Sequence, residues 1–292
     1  MNVPYEELTH RNAGFLSPRD QARLRRTGIL VLGAGGMGGA ALQSLVRAGA
    51  GHLAVADMDT FEASNLNRQV FATSRTLGRT KTEVTREALQ EIHPDVKVEV
   101  MGEEWLRRLD ELLPRFRVVI NAMDDQRAAI LLYRKAREWG VTVVDAYTSP
   151  CPSVTVVAPG DPRPEERLGF PTVGVPWEDI TAEQLREAFL REAAFVMAHS
   201  SGVRYLDPEV VEEILGGSRP RSSFAPVVIV AGNLMAFEAM QAALGRRGGA
   251  GYMGYFVNLW TGRCERPRRG VLARAREWLV RGRLERWARG AS

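Results

Sequence analysis

Cysteine is scarce in this chain: Cys151 and Cys264 are the only two among 292 residues. That excludes a disulfide framework and any four-cysteine zinc site built within one chain. No run of about 18 consecutive apolar residues occurs, so the sequence predicts no membrane span. The opening stretch, MNVPYEELTHRNAGFL, lacks a basic segment followed by an apolar one, so no signal peptide is expected and the expected setting is the cytoplasm. Lysine is almost missing too: Lys81, Lys97 and Lys135 stand beside 36 arginines, which gives each lysine an interest its type alone would not. What remains is ordinary for a globular chain, 45% hydrophobic and 25% charged, which excludes disordered, collagen-like and low-complexity classes. The length suits one large domain or two small ones with a fully buried core.

The net charge of +4 is unevenly placed. From Arg263 to Ser292 ten arginines face Glu265, Glu277 and Glu285, so this tail carries +7 and the other 262 residues carry −3. A basic footprint confined to a tail argues against general nucleic-acid binding.

The chain alternates apolar runs of strand length with helical patterns. Ser17-Pro18-Arg19-Asp20 reads as a cap opening a helix to about Arg26. Strands are expected at Gly28–Leu32, His52–Asp57, Lys97–Met101, Arg117–Asn121 and Val141–Tyr147. Helices are expected at Met37–Ala48, Thr80–Ile92, Glu104–Leu113 and Gln126–Trp139 between them. Runs apolar throughout fit strands covered on both faces, and their alternation with helices predicts an α/β fold: a doubly wound, mostly parallel Rossmann-like sheet with a helical insertion and a C-terminal sheet extension. Ser153–Ala158 adds a strand, and Gly160–Pro176 reads as an irregular, exposed connection. Helices follow at Thr181–Ala198 and from Asp207-Pro208 to Leu215, then a polar loop over Gly216–Ser223. Pro226–Leu244 is an apolar helix, Tyr252–Trp260 the expected last strand, and Val271–Ala288 a terminal helix.

Gly33-Ala34-Gly35-Gly36-Met37-Gly38 follows a predicted strand and opens a predicted helix, the setting in which G-x-G-x-x-G binds nucleotide phosphate. Asp57 ends the second strand 19 positions after Gly38, near the spacing expected of an acid that holds a ribose hydroxyl. Those features alone do not separate a dinucleotide from ATP. The choice comes from Asp57-x-Asp59, Ser64-Asn65-Leu66-Asn67-Arg68-Gln69 and Gly78-Arg79-Thr80-Lys81: hydride transfer has no use for such a polar set, whereas breaking a phosphoanhydride requires cations where negative charge accumulates.

GAGGMGG, D-x-D, SNLNRQ, G-x-x-K and Met123-Asp124-Asp125 together resemble the adenylation domain of the ThiF/MoeB/HesA and ubiquitin-activating enzyme superfamily, over roughly Leu8–Ala158 and again over Phe224–Arg266. The resemblance implies an adenylyltransferase that uses ATP and Mg²⁺ to activate the C-terminal carboxylate of a small ubiquitin-like or sulfur-carrier protein or peptide. It implies nucleotide binding by Gly33, Gly35, Gly36, Gly38, Asp57, Asp59, Asn65, Arg68, Gln69 and Lys81, with Asp57 on the ribose and Asn65, Arg68 and Lys81 on the phosphates. Asp124 would support Mg²⁺ and the reacting carboxylate. Arg11 matches an arginine that reaches the partner subunit's ATP in the family's homodimers, or is a plain surface residue. The implied organisation is an N-terminal helical arm (1–27), an ATP-binding core (28–158), a variable crossover and helical insertion (159–223), a return helix and last strand (224–266) and an Arg-rich C-terminal helix (267–292).

Departures from the family pattern carry information. The two Cys-x-x-Cys pairs common in bacterial members are missing, so no zinc is expected. The crossover Gly160–Ser223 lacks a cysteine; Cys151 is expected to be inert and Cys264 structural. His199 is expected to be a helix-end cap or surface residue. The terminal helix admits three roles: lying on anionic lipid, meeting an acidic partner, or packing Trp278 and Leu279 on the domain with its arginines solvated. Since Glu277 and Glu285 interrupt the basic face, packing ranks first and an acidic partner second. Rival functions are another carbonyl-activating role such as tRNA-base dehydration, an NAD(P)-dependent oxidoreductase, and a catalytically silent scaffold.

Overall fold

In a computed structural model, the structure describes residues 3–290, without the side chains of 288–290. Two N-terminal helices, α1 (Tyr5–Thr9) and α2 (Pro18–Arg26), lead into β1 (Gly28–Leu32), α3 (Gly36–Arg47), β2 (His52–Ala56), α4 (Lys81–Ile92) and β3 (Lys97–Met101). The chain continues through α5 (Leu109–Leu112), β4 (Val118–Asn121), α6 (Gln126–Glu138), β5 (Thr142–Asp145) and β6 (Ser153–Val157). Then come α7 (Pro164–Arg167), α8 (Ala182–His199), α9 (Pro208–Leu215), α10 (Ala225–Ala243), β7 (Tyr255–Asn258), β8 (Arg263–Glu265) and α11 (Val271–Gly290).

All strands join one eight-stranded sheet in the order β3-β2-β1-β4-β5-β6-β7-β8. The pairs from β3 to β5 are parallel; β5–β6, β6–β7 and β7–β8 are antiparallel. Alternation along β1 divides the core. Ile29 and Val31 face one hydrophobic cluster with residues of α3 and α10, whereas Leu30 and Leu32 face another with residues of α5 and α6. Both faces of the sheet are covered, which is why these strands read as unbroken apolar runs.

Several expectations are corrected. The helix expected at Glu104–Leu113 is broken into a 3₁₀ turn (Glu103–Leu106), the short α5 and a second 3₁₀ turn from Leu113, where Pro114 has no N–H to continue the ladder. The expected last strand is followed by another: the chain turns through Gly262, with φ +66°, and returns as β8. Cys264 lies exposed on that edge strand rather than in a structural position. The connection Gly160–Pro176 is anchored, not loose. Glu165 is buried against Arg134 of α6, whose guanidinium also donates to the Thr172 carbonyl (2.8 Å) and the Val175 carbonyl (2.7 Å). Two turns earlier on α6, Arg127 donates to the carbonyls of Trp177 and Ile180 (both 2.9 Å) and lies over the Trp177 ring. Backbone satisfaction supplied by two arginines is invisible to propensity. The expected apolar helix forms as α10, 19 residues with a mean hydropathy of 1.3, long and apolar enough to span a membrane by length and composition although no unbroken apolar run of that length occurs in it. It packs along α3, with Gly232 against the Met37 backbone.

α11 departs furthest. Val280, Leu284 and Trp287 pack on Leu190, Ala193, Ala194 and Met197 of α8, while Trp278 and Leu279 are 67% and 63% exposed. His199, expected as a cap or surface group, is buried. Its Nδ1 accepts from the Arg268 N–H (3.2 Å), so Nε2 carries the proton donated to Glu277 (2.6 Å).

Candidate active site

The strand order reverses between β1 and β4, and the crevice beyond their carboxyl ends is where open α/β sheets bind ligands. Gly33 leaves β1 with φ +96°, and a Cβ there would lie 2.6 Å from the Ala122 carbonyl oxygen beyond β4. A Cβ on Gly38 would run into the Gly33 carbonyl, so these two glycines let the turn close against the sheet. The first helical acceptor is used by Gly39 N–H, which bonds the Gly35 carbonyl (2.8 Å). The N–H groups of Gly36, Met37 and Gly38 therefore precede the ladder at the positive end of α3.

Asp57 shapes this turn. Its Oδ2 accepts from the Ala34 N–H (2.7 Å) and its Oδ1 from the Asp59 N–H (2.9 Å). Asp59 then holds Lys81: Nζ donates to Oδ2 at 2.7 Å, and the Lys81 backbone N–H donates to the Asp59 carbonyl at 2.9 Å. Lys81 is 6% exposed at the start of α4, so its ammonium is fixed, not waving in solvent. The polar loop folds on itself: Asn65 is buried and its Oδ1 accepts from the Glu62 N–H (3.1 Å). Arg68 is half-buried and donates to the Ser64 carbonyl (2.7 Å) and Asn67 Oδ1 (2.8 Å).

A cleft of about 1420 Å³ runs past these groups. Gly33, Gly35, Gly36, Asp57, Asp59, Asn65, Arg68, Gln69, Lys81 and Asp124 all line it. Gly38 does not; it serves the turn from beneath. Arg11 does not either: it sits exposed on the 3₁₀ turn after α1, with no ion pair among the described residues. The neighbouring Asp125 caps α6 by accepting from the Ala128 N–H (3.0 Å), which leaves Asp124 exposed toward the cleft without an ion pair among the described residues. Among those residues no cluster of three or more His, Cys, Asp and Glu side chains is placed to hold a metal.

The cleft also contains a deeper acidic pair that sequence reasoning missed. Asp145, at the end of β5, accepts from Tyr133 Oη (2.7 Å) and Asn121 Nδ2 (2.9 Å). Glu192, from α8, accepts from Tyr147 Oη and Gln126 Nε2, both at 3.2 Å. Burial, reinforced by the charge of Asp145, pushes the Glu192 carboxyl up to about 7; burial also raises Asp145 and carries both tyrosines well above their ordinary range. A polar residue closing an apolar strand was the available signal for Asp145. Glu192 interrupts the apolar pattern of Phe189, Ala193 and Val196 and had no other mark. Cys151 is fully buried beside the same compartment, and burial raises its thiol above the usual range, which disfavours the thiolate.

The model of the ThiF family matches residues 9–269. The chain belongs to the ThiF family. Among relatives, it is 39% identical over 115 residues to the sulfur carrier protein adenylyltransferase of Thermus thermophilus, covering 38% of this chain and 41% of that one. It is 34% identical over 144 residues to the tRNA threonylcarbamoyladenosine dehydratase of Haemophilus influenzae, covering 48% and 55%. These matches span about half the length of either relative. The fold matches the crystal structure of E. coli MccB with ATP at a TM-score of 0.63 and 17% identity, over 86% of this chain and 66% of that one.

Within this ThiF-family cleft the residues fit a nucleotide. Gln69 is buried, and its Oε1 lacks a hydrogen-bond partner. A buried acceptor of that kind costs about 1–3 kcal/mol until a donor arrives, which a ribose hydroxyl or adenine amine supplies.

Proposed function

We propose that this chain is an ATP-dependent adenylyltransferase that activates the C-terminal carboxylate of a small ubiquitin-like or sulfur-carrier protein or a peptide. The observation that carries the reading is one continuous cleft in which the glycine turn, Arg68, Lys81 and Asp124 open onto a second compartment walled by α8 and α9. Ligand pockets usually span roughly 300–1,000 Å³, so the cleft has room for a nucleotide and an acyl group together. A nicotinamide-dependent oxidoreductase would leave Arg68 and Lys81 facing the cleft without work.

In this reading, α3's N–H groups, Arg68 and Lys81 hold the phosphates. The substrate carboxylate oxygen attacks the α-phosphorus in line. The bond from that phosphorus to the oxygen bridging toward the β-phosphate breaks, and pyrophosphate leaves with the electron pair. Positioning and fixed cations carry most of such a step, so no side-chain nucleophile is needed. Mg²⁺ would add phosphate charge neutralisation, and Asp124 is the residue placed to support it. The acyl-adenylate then passes to an external sulfur donor or amine, since Cys151 is buried as a thiol. We also infer a homodimer, because Arg11 is exposed outside its own cleft and its proposed role is on the partner's nucleotide.

ATP–pyrophosphate exchange tests the reading. Exchange that depends on a carrier protein or peptide and drops about 10²–10³-fold in Lys81→Ala and Arg68→Ala supports it. Absence of ATP binding overturns it, and a thioester trapped on Cys151 overturns the external acceptor.

A further inference from the structure

The apolar stripe of α11 faces solvent. Val271 and Leu272 are 83% and 87% exposed, and Trp278 and Leu279 lie on the same side of the helix at 67% and 63%. At 100° per residue these four fall with Ala275 and Gly282 in one sector over the first three turns, opposite Ala273, Glu277, Val280, Leu284 and Trp287, which face the domain; Arg286, exposed one turn past Gly282 in the same sector, ends the stripe. Arginines border the stripe on both flanks, Arg274 and Arg281 on one and Arg276 and Arg283 on the other, each pair seven residues apart, with Arg281 held by Glu285 and Glu187 (3.7 Å) and the other three carrying the flanking charge. Of the two acids in the helix, Glu277 lies on the domain side, whereas Glu285 lies on the flank with Arg274 and Arg281, past the last residue of the stripe. Glu277 is spent on His199, and Glu285 pairs with Arg281 at 3.0 Å.

From this arrangement we propose that α11 docks the enzyme on an anionic lipid bilayer, with its apolar stripe at the boundary between headgroups and acyl chains. A tryptophan-bearing apolar stripe between two rows of arginines is how a helix lies in a membrane interface: the stripe buries, and the long cationic side chains reach outward to headgroup phosphates. The charge distribution agrees, because the tail carries +7 while the rest of the chain carries −3, so attraction to an anionic surface acts on this face. A second copy suits the face poorly. Two such stripes brought together would place arginine rows opposite arginine rows, with the local acids already paired. An acidic protein groove would satisfy the arginines but not the indole and leucines at the centre.

The test is co-sedimentation of the full chain with phosphatidylcholine vesicles, with and without phosphatidylglycerol, alongside light scattering of the protein alone. Binding is expected to require phosphatidylglycerol and to weaken as salt rises. Trp278→Ser with Leu279→Ser should lower partitioning about tenfold or more. Arg274→Gln with Arg283→Gln should lower it to a similar degree and flatten the salt dependence, while ATP–pyrophosphate exchange stays at wild-type level in both variants. No binding to anionic vesicles overturns the proposal, as does wild-type binding by the Trp278/Leu279 variant. A halved mass for that variant in solution would assign the face to a second copy and overturn it too.

Discussion

Lysine 81 illustrates what a residue's rarity and its surroundings say together. In an arginine-rich chain a retained lysine at a helix start invites a role, and the structure holds its ammonium on Asp59 inside the cleft. Asp59 is 63% exposed, so the pair contributes little to stability, and Lys81→Ala should shift the melting temperature only slightly while exchange collapses. A matching fall in stability would make the residue structural. Glu192 behaves oppositely. Its carboxyl is pushed up to about 7 by burial and by Asp145, so between its ordinary value and about 7 the folded state binds the extra proton. Its charge therefore destabilises the fold as pH rises through that window. Glu192→Gln is expected to be about 1–3 kcal/mol more stable than wild type at pH 8 and near neutral at pH 5, read from urea unfolding. An equal effect at both pH values would deny the burial argument. Neither this acid nor the orphaned Gln69 oxygen was legible in sequence, because both depend on which side chains a distant helix brings overhead.

At the scale of elements, the strands and the glycine turn were legible, since a strand covered on both faces must be apolar along its length and a turn this close to β4 must lack side chains. Segments fixed by side chains from elsewhere were not. The stretch from Gly160 to Pro176 has the composition of a loop, yet Glu165 is buried on Arg134, that arginine also satisfies the Thr172 and Val175 carbonyls, and Arg127 holds the Trp177 and Ile180 carbonyls just beyond it. Arg134→Met should cost about 3–5 kcal/mol, because it strands a buried carboxylate, whereas Arg134→Met with Glu165→Leu should recover much of that loss. Chemical denaturation of the two variants decides it; an equal loss in both would mean the pair is not what anchors the segment. α11 misled for a related reason. With apolar residues on two sides, its sequence offered two candidate faces, and only the position of α8 selects Val280, Leu284 and Trp287 over Trp278 and Leu279.

Across the whole molecule, the question is whether one chain completes its own site. Gly33, Lys81 and Asp124 converge on one cleft, while Arg11 stays on the surface after α1, away from that cleft. If the proposed homodimer places each Arg11 on the other subunit's nucleotide, the two lesions Arg11→Ala and Lys81→Ala fall in different halves of every site. In a mixed dimer, the subunit carrying Arg11→Ala keeps its own Lys81 and receives Arg11 from the Lys81→Ala partner, so one site is intact and the other carries both lesions. Random reassortment of equal amounts makes half the dimers mixed, so about a quarter of all sites are whole. Two individually inactive preparations should then regain about a quarter of wild-type exchange after reassortment, and dilution that separates the subunits should abolish the gain. Arg11 as a plain surface residue predicts something else: the Arg11→Ala protein alone retains full exchange, and mixing adds nothing beyond the average of the two.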